Sequence, residues 1–362
     1  MNETTPVVSV LMPVYNGEWF LAEAIDSILG QTFADFEFVI IDDGSTDASP
    51  AILADYASRD PRIRVVRQAG AGIVAALNRG LAECRAPLVA RMDADDSSLP
   101  TRLEQQVAFL AGHPRVAVVG TAFQLVSETG AAGPKVHHAT GPAAISRGLR
   151  RGNCLAHPTV MMRRDAILAV GGYRESLRHA EDYDLWTRVV EWHQLANLPE
   201  CLLRYRVHGG QVSWAVAEAQ VLGTLAVQGL ARARCRAGHE PSMQSGMPDR
   251  EFLKALGFSP HDIDYSIVGL IAGRITACDA VGMRDEAARV RRSLIDMGHG
   301  KSPRVHSLID GALAWMDLRA AQRTGEIWKA CKAAAKCAGL VAAHMSLAGS
   351  AVTYWTSRLR NF

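Results

Sequence analysis

The sequence is poor in the features that mark several large protein classes. Its seven cysteines (84, 154, 201, 235, 278, 331 and 337) are odd in number, scattered and never spaced as CxxC. That pattern indicates neither a disulfide framework nor a zinc site, and it suits a reducing compartment. No charge excess exists: the net charge is +2, so the basic surplus typical of nucleic-acid binding is missing. The N-terminus, MNETTPVVSVLMPVY, has no basic stretch followed by a long apolar run, and reads as no signal peptide. There is no clear internal repeat and no GxGxxG of a dinucleotide site. What remains is ordinary globular material, 48% hydrophobic and 21% charged over 362 residues, enough for about two domains.

The first 130 residues alternate short apolar runs with amphipathic stretches. Strands are expected at VVSVLM (7–12), FEFVIID (36–42), IRVVR (63–67), PLVARM (87–92) and VAVVG (116–120). Helices are expected at 18–31, 46–59, 73–84 and 100–112, the last with Pro100 in its first turn. This alternation predicts an α/β fold with a mostly parallel sheet covered by helices on both faces. Residues 131–152, rich in Gly, Pro, Ala and Arg, read as a connection. From about 215 the chain turns Ala-, Arg- and Leu-rich and helical, with a helical hairpin expected from 262–281 and 284–297.

In an open parallel sheet, ligands bind beyond the carboxyl ends of the strands. Three polar clusters fall at that edge: PVYNG (13–17), DDGSTD (42–47) and DADD (93–96). The first offers a rigid turn and the Tyr15 ring, which can stack on a base. In the second, Ser45 or Thr46 is expected to cap the following helix, leaving Asp42 and Asp43 for a base N–H or a ribose hydroxyl. The third places Asp93, Asp95 and Asp96 within four residues at the end of an apolar run. Such crowding of like charges is costly unless a cation or several donors offset it. Farther on, AEDYDLWTRV (180–189) puts Glu181, Asp182 and Asp184 at a helix start, where the helix dipole favours them. YRVHGGQVS (205–213) holds His208 before two glycines.

Taken in order, VSVLMPVYNGEWFLAEAIDSILGQTF, FVIIDDGSTD, LVARMDADD, HPTVMMRR, AEDYDLW and YRVHGGQVS resemble the inverting nucleotide-sugar glycosyltransferases of family 2, over about residues 7–213. The resemblance implies a GT-A fold: a Rossmann-like sheet with a divalent metal, Mn²⁺ or Mg²⁺, at the DxD. It implies that Asp95 ligates the metal, with His208 matching the position of an imidazole ligand. Asp93 would reach the ribose or a metal-bound water, with Asp96 as its neighbouring alternative. Pro13, Tyr15 and Asp43 would frame the base of the nucleotide. Asp182 would be the general base, supported by Glu181, and Trp186 would pack in the core. One departure stands out: the loop AGAGIV (69–74) carries none of the Lys or Arg that related enzymes often place there, and Arg67 is the nearest cation. UDP-sugar is the favoured donor, with GDP- and dTDP-sugars open.

These expectations define a catalytic domain over 1–214, split into a nucleotide-sugar half to about 120 and an acceptor half from 121, and a helical region over 215–362. The activity implied is sugar transfer to a hydroxyl of a glycan or lipid-linked acceptor in cell-envelope or exopolysaccharide synthesis, in the cytoplasm and without nucleic acid as partner. A sugar nucleotidyltransferase would want a glycine-rich basic loop after the first strand, and PVYNGEWF is neither. A non-catalytic sugar-nucleotide-binding protein would not need Asp93, Asp95 and Asp182 together. Neither the acceptor nor the oligomeric state is set by the sequence. Residues 337–356 lack any Asp, Glu, Lys or Arg. Val341, Met345, Ala348, Val352, Trp355, Leu359 and Phe362 recur at steps of four and three, a helical stripe. Two readings stand for 337–362: packing on the enzyme's own helices, or peripheral attachment to the inner face of the membrane.

Overall fold

The computed structural model describes residues 5–209, 214–243 and 246–298, together with 309–310, 312–314 and 317. Its centre is a mixed sheet in the spatial order β3-β2-β1-β4-β8-β6-β9-β5, with β7 paired to β6. The strands are β1 (Val8–Val14), β2 (Phe36–Asp42), β3 (Ile63–Arg67), β4 (Leu88–Arg91), β5 (Ser97–Ser98), β6 (Val116–Ser127), β7 (Ala132–Val136), β8 (Met161–Arg163) and β9 (Gln194–Val207). β1 pairs in parallel with β2 and β4, β2 with β3, and β6 with β9.

Strands β1 and β2 are buried at every residue, as a parallel sheet covered on both faces requires. The helices that cover it carry their apolar residues at helical spacing. In α1 (Leu21–Leu29), Leu21, Ala24, Ile25 and Ile28 are the buried positions. Helices α2 (Ser49–Arg59), α3 (Ile73–Glu83) and α4 (Arg102–Gly112) follow β2, β3 and β5. The strand order reverses direction at the β1/β4 junction, and the crevice beyond such a junction is where ligands settle.

Three local expectations are corrected. Residues 131–152 are not a plain connection: they form β7 and α5 (Pro142–Leu149). β7 is ordered by pairing with β6, a tertiary contact that overrides its weak intrinsic preference. α5 has Pro142 at its first position, where proline is tolerated. The strand expected at 116–120 continues to Ser127. Neither Ser45 nor Thr46 caps α2: its N-cap is Ala48, with no side-chain cap bond. Instead, the Asn16 N–H donates to Ser45 Oγ (3.0 Å) and the Thr46 N–H to Asn16 Oδ1 (2.8 Å), lacing the loops after β1 and β2 together.

The chain continues through α6 (Arg164–Ala169) into α7 (Glu181–Val189), and after β9 into α8 (Trp214–Ala237), α9 (Arg250–Ala255), α10 (Pro260–Ala280) and α11 (Arg284–Gly298). α10 and α11 pack together as the expected hairpin. α10 starts from a capping box in which Ser259 and Asp262 satisfy each other's backbone N–H. α8 lies against the start of α7. A Cβ at Gly223 would stand 3.1 Å from the Ala180 Cβ, so glycine is what lets the two backbones approach. Among the described residues no helix is long and apolar enough to cross a membrane. The stripe at 337–362 lies outside the described residues.

Candidate active site

The acidic loop after β4 is the focus. Ligand atoms of Asp93, Asp95 and Asp96 all lie within 4.8 Å of one another. β9 brings His208 to them. The pairing of Ser97 with Arg204 and Ser98 with Leu203 carries the end of β9 past the acidic loop, and His208 Nε2 comes to 3.0 Å from Asp95 Oδ2. The His208 ring also packs on Phe20, centroid to centroid 5.1 Å.

Two buried arginines hold the loop, and neither is marked by any motif in the sequence. Arg206 donates its backbone N–H to Asp96 Oδ1 (2.9 Å) and its Nε–H to the Asp95 carbonyl (2.9 Å). Its other nitrogens reach Glu23 and the carbonyls of Ser127 and Glu128. Arg91 forms an ion pair with Asp93. Burial still raises the Asp93 carboxyl above its ordinary range, opposed by the Arg91 charge and assisted by Asp95. Burial, then the charges of Asp95 and Asp93, push Asp96 well up. Asp96 Oδ2 is buried with no hydrogen-bond partner among the described residues.

Clustered hard oxygen donors, an adjacent imidazole and an orphaned carboxylate oxygen together form a donor set suited to Mg²⁺ or Mn²⁺. Burial first, and then the neighbouring aspartate charges, keep Asp93 and Asp96 raised despite the two arginines.

The residues expected to frame a nucleotide lie at the end of β1 and on the loops after β1 and β2, beside the loop after β3. Pro13 is buried within β1, one residue from its end, and Tyr15, just beyond, is 63% exposed. Asn16 holds a left-handed backbone (φ 51°), unusual for a residue with a side chain. Asp42 accepts the Ser45 N–H (2.9 Å) and faces Arg67 at 3.4 Å. Asp43 is buried and heavily engaged. It accepts from Gln68 Nε2 (2.8 Å) and from the N–H groups of Ala71 (2.8 Å) and Gly72 (2.7 Å). It therefore shapes the glycine loop, and one lone-pair direction on Oδ2 is left for a ligand.

An arginine from elsewhere in the chain lies beside that loop. Gly72 has φ +91°, and a Cβ there would stand 3.4 Å from the guanidinium carbon of Arg178. Arg178 Nη2 faces Glu175 at 3.5 Å, while its Nε is buried with no hydrogen-bond partner among the described residues. No local pattern marks the contact with Gly72, because the two positions stand 106 residues apart in the chain (178 minus 72).

The candidate base sits at the N-terminus of α7, next to His179, whose backbone is also left-handed (φ 74°). Asp182 accepts from Asn153 Nδ2 and from the Tyr183 N–H, both at 2.6 Å. Burial nonetheless raises its carboxyl. Glu181 is pushed up to about 7 by burial and then by the Asp182 charge, and its Oε2 has no hydrogen-bond partner among the described residues. The field of Asp182 reaches Asp93, contributing to its raised value. Asp184 has a structural role instead. It is fully buried and receives Arg188 Nε (2.9 Å) and Nη2 (2.7 Å). Trp186 is fully buried beside His157. Asn153, which orients Asp182, follows directly on the stretch that reads from sequence as a connection, where an isolated Asn carries no signal.

A sheet with this crevice, an acidic metal-type loop and a separate desolvated carboxylate can be compared with known proteins. The family described as "Glycosyl transferase family 2" matches residues 9–170. The O-antigen biosynthesis glycosyltransferase WbnJ of Escherichia coli is 36% identical over 209 residues, covering 56% of this chain and 80% of that protein. The chain belongs to glycosyltransferase family 2. The amylovoran biosynthesis glycosyltransferase AmsE of Erwinia amylovora is 34% identical over 212 residues, covering 57% of this chain and 78% of that one. Among solved structures, the Pyrobaculum calidifontis mannosyltransferase PcManGT with GDP-Man and Mn²⁺ superposes with a TM-score of 0.51 at 19% identity, covering 92% of this chain and 88% of that chain. S. aureus TarS 1-349 with UDP-GlcNAc gives 0.53 at 18% identity, covering 90% of each chain. These likenesses establish the fold as GT-A.

Proposed function

We propose that this family 2 glycosyltransferase inverts the anomeric centre of a nucleotide-sugar, UDP-sugar favoured, as it transfers the sugar to a hydroxyl of a glycan or lipid-linked acceptor. The observation that carries this reading is the placement of Asp182 within electrostatic reach of the Asp93–Asp95–His208 cluster but on a different element. Inversion needs a base on the face of the sugar opposite the leaving group. Asp182 serves as that base: Asn153 and the Tyr183 N–H hold its carboxylate in one orientation, and it takes the acceptor hydroxyl proton during attack. Glu181 assists by contacting the acceptor. On the other side, Asp95 and His208 would hold the divalent cation, with Asp93 toward the ribose or a bound water. The cation would offset the charge that develops on the leaving diphosphate. Tyr15 stacks on the base, Asp43 meets a base N–H through its remaining lone pair, and Pro13 completes the wall.

Names of relatives in O-antigen and amylovoran biosynthesis support a role in envelope or exopolysaccharide synthesis. GDP-Man and UDP-GlcNAc in the two structural neighbours support a nucleotide-sugar donor. The reading assigns residues 1–214 to a catalytic domain and 215–362 to a helical region. Two measurements test it. Thermal melting with Mn²⁺ and UDP, GDP or dTDP identifies the nucleotide, and none stabilising the protein overturns the donor class. NMR of the transferred sugar reads its anomeric configuration, and retention overturns Asp182 as an inverting base.

Arg178 stands in for the loop cation. Arg178→Ala is expected to weaken nucleoside-diphosphate binding about tenfold, the worth of one charge-assisted contact. Arg178→Lys should keep part of it. Equal affinity in all three proteins removes Arg178 from the donor site.

The stripe at 337–362 supports attachment to the inner face of the cytoplasmic membrane, because Lys332, Lys336, Arg358 and Arg360 flank the uncharged segment 337–356 and Trp355 and Phe362 suit an interface. The full chain is expected to sediment with anionic vesicles at low salt, and a chain ending at 336 to stay in the supernatant. If the full chain also stays, the stripe packs on protein.

A further inference from the structure

A cavity of about 460 Å³ lies between the start of α7 and the helices α8 and α10, within the size range of small-molecule sites. Asp182 and His179 line it from the start of α7. Opposite them, α8 presents Gln220, Thr224, Gln228 and Arg232, a polar stripe at steps of four along one helix face. Polar side chains are expected on the solvent side of such a helix, yet this stripe faces a recess. It is also braced. Gln228 Nε2 donates to the Arg151 carbonyl (3.0 Å), and Arg274 donates to Gln220 Oε1 (2.6 Å). Phe258 and Tyr265 add aromatic faces, which suit the apolar faces of sugar rings.

The charge in this cavity is unbalanced. Arg150 and Arg151, at the end of α5, and Arg232 all line it. Among the described residues none of the three pairs with a carboxylate within ion-pair distance. The Arg232 guanidinium instead lies over the Phe258 ring at 4.6 Å, and its Nε–H donates to the Gln228 carbonyl. The other acid in the lining, Asp262, accepts from the Ser259 N–H and hydroxyl through Oδ2 in the α10 cap, and its charge reaches Arg232 without forming an ion pair. Three exposed arginines without carboxylate partners converge on a recess lined with hydrogen-bonding groups, an arrangement suited to an anion beside a polar ring.

We infer that this cavity is the acceptor site and takes an anionic saccharide, its reacting hydroxyl at Asp182 and a phosphate or carboxylate at Arg150, Arg151 and Arg232. The inference rests on the reading of Asp182 as the base, and it names the class of acceptor that this base deprotonates. A phosphate would belong to a diphosphate-linked or phosphorylated acceptor, and a carboxylate to an acidic sugar.

The test measures binding rather than turnover, by saturation-transfer NMR in EDTA, so that neither metal nor catalysis contributes. Glucose 1-phosphate, glucuronate and neutral glucose are the probes. At least one anionic probe is expected to bind about tenfold more tightly than glucose, with the preference lost at high salt. The tighter of the two identifies phosphate or carboxylate as the source. Arg151→Ala and Arg232→Ala should each abolish the preference, while Arg232→Lys should retain most of it. Arg151 and Arg232 are both exposed, and they stand on different elements, so the two variants test the site independently. No preference for an anion, or a preference that survives both alanine variants, overturns the inference. Asp182→Asn should keep the anion preference. A normal turnover in that variant would remove the base assignment and leave the binding result intact.

Discussion

Asp182→Asn is expected to lose about 10²–10⁴-fold in turnover while nucleotide affinity stays at the wild-type level. The amide keeps the shape of the carboxylate but cannot accept the acceptor's proton. Its donor partners, Asn153 Nδ2 and the Tyr183 N–H, are on the same side of the site and not on the nucleotide loops. Asp184→Asn is the contrasting variant. It loosens the buried pair with Arg188, so it should lower the melting temperature before it touches the chemistry. Near-normal turnover in Asp182→Asn would return the base role to Glu181.

The same pair makes a pH prediction. The base must be ionised, and burial raises Asp182 above the ordinary 3.8. Activity should therefore climb with pH along an acid limb displaced upward from that value, with Glu181, at about 7, titrating alongside. The stability follows the opposite sign. A carboxyl whose folded pKa is raised holds its proton in the native state after the unfolded chain has lost it. Stability is then lost as pH rises from the ordinary 4.5 of a glutamate through about 7. Glu181→Gln should raise the melting temperature at pH 8, by ~2–4 °C per kcal/mol recovered, and leave it nearly unchanged at pH 5. Equal shifts at both pH values would show that Glu181 is not a strained acid.

Asp95→Ala is the second large effect. Nucleotide affinity measured with and without Mn²⁺ should lose its metal dependence, a fall of about 10–100-fold in the metal-containing arm. Asp95 contributes the carboxylate that faces His208 Nε2 at 3.0 Å, so its removal leaves the cation with the ion-paired Asp93 and the buried Asp96. His208→Ala should lose less, because a neutral imidazole offsets no charge. An Asp95→Ala enzyme with intact Mn²⁺ dependence would move the metal to Asp93 and Asp96.

The strand and helix alternation of the first 130 residues was legible because each element carries its own period: VSVLMPV is buried at every residue, and α1 buries Leu21, Ala24, Ile25 and Ile28. The polar clusters after β1, β2 and β4 were legible too, since a parallel sheet sends the ends of its strands to one edge. Long-range pairing decided the rest. The antiparallel β8 between β4 and β6 follows from hydrogen bonds to distant strands, and β7 from folding back onto β6, the strand just before it. Three residues near the site have no local signature for the same reason. Arg206 reaches the acidic loop from 110 residues away, Arg178 lies on Gly72, and Asn153 orients Asp182 from the end of a stretch that reads as a connection. The cavity between α7, α8 and α10 belongs to this second group. Its polar stripe on α8 resembles an ordinary solvent face in the sequence, and the docking of α8 on the start of α7, close at Gly223 and Ala180, sets that face on the cavity lined by Asp182. Local periodicity sets which residues form an element and which face is apolar. Which remote side chains meet, and which charges are left buried without a partner, is set by how those elements dock.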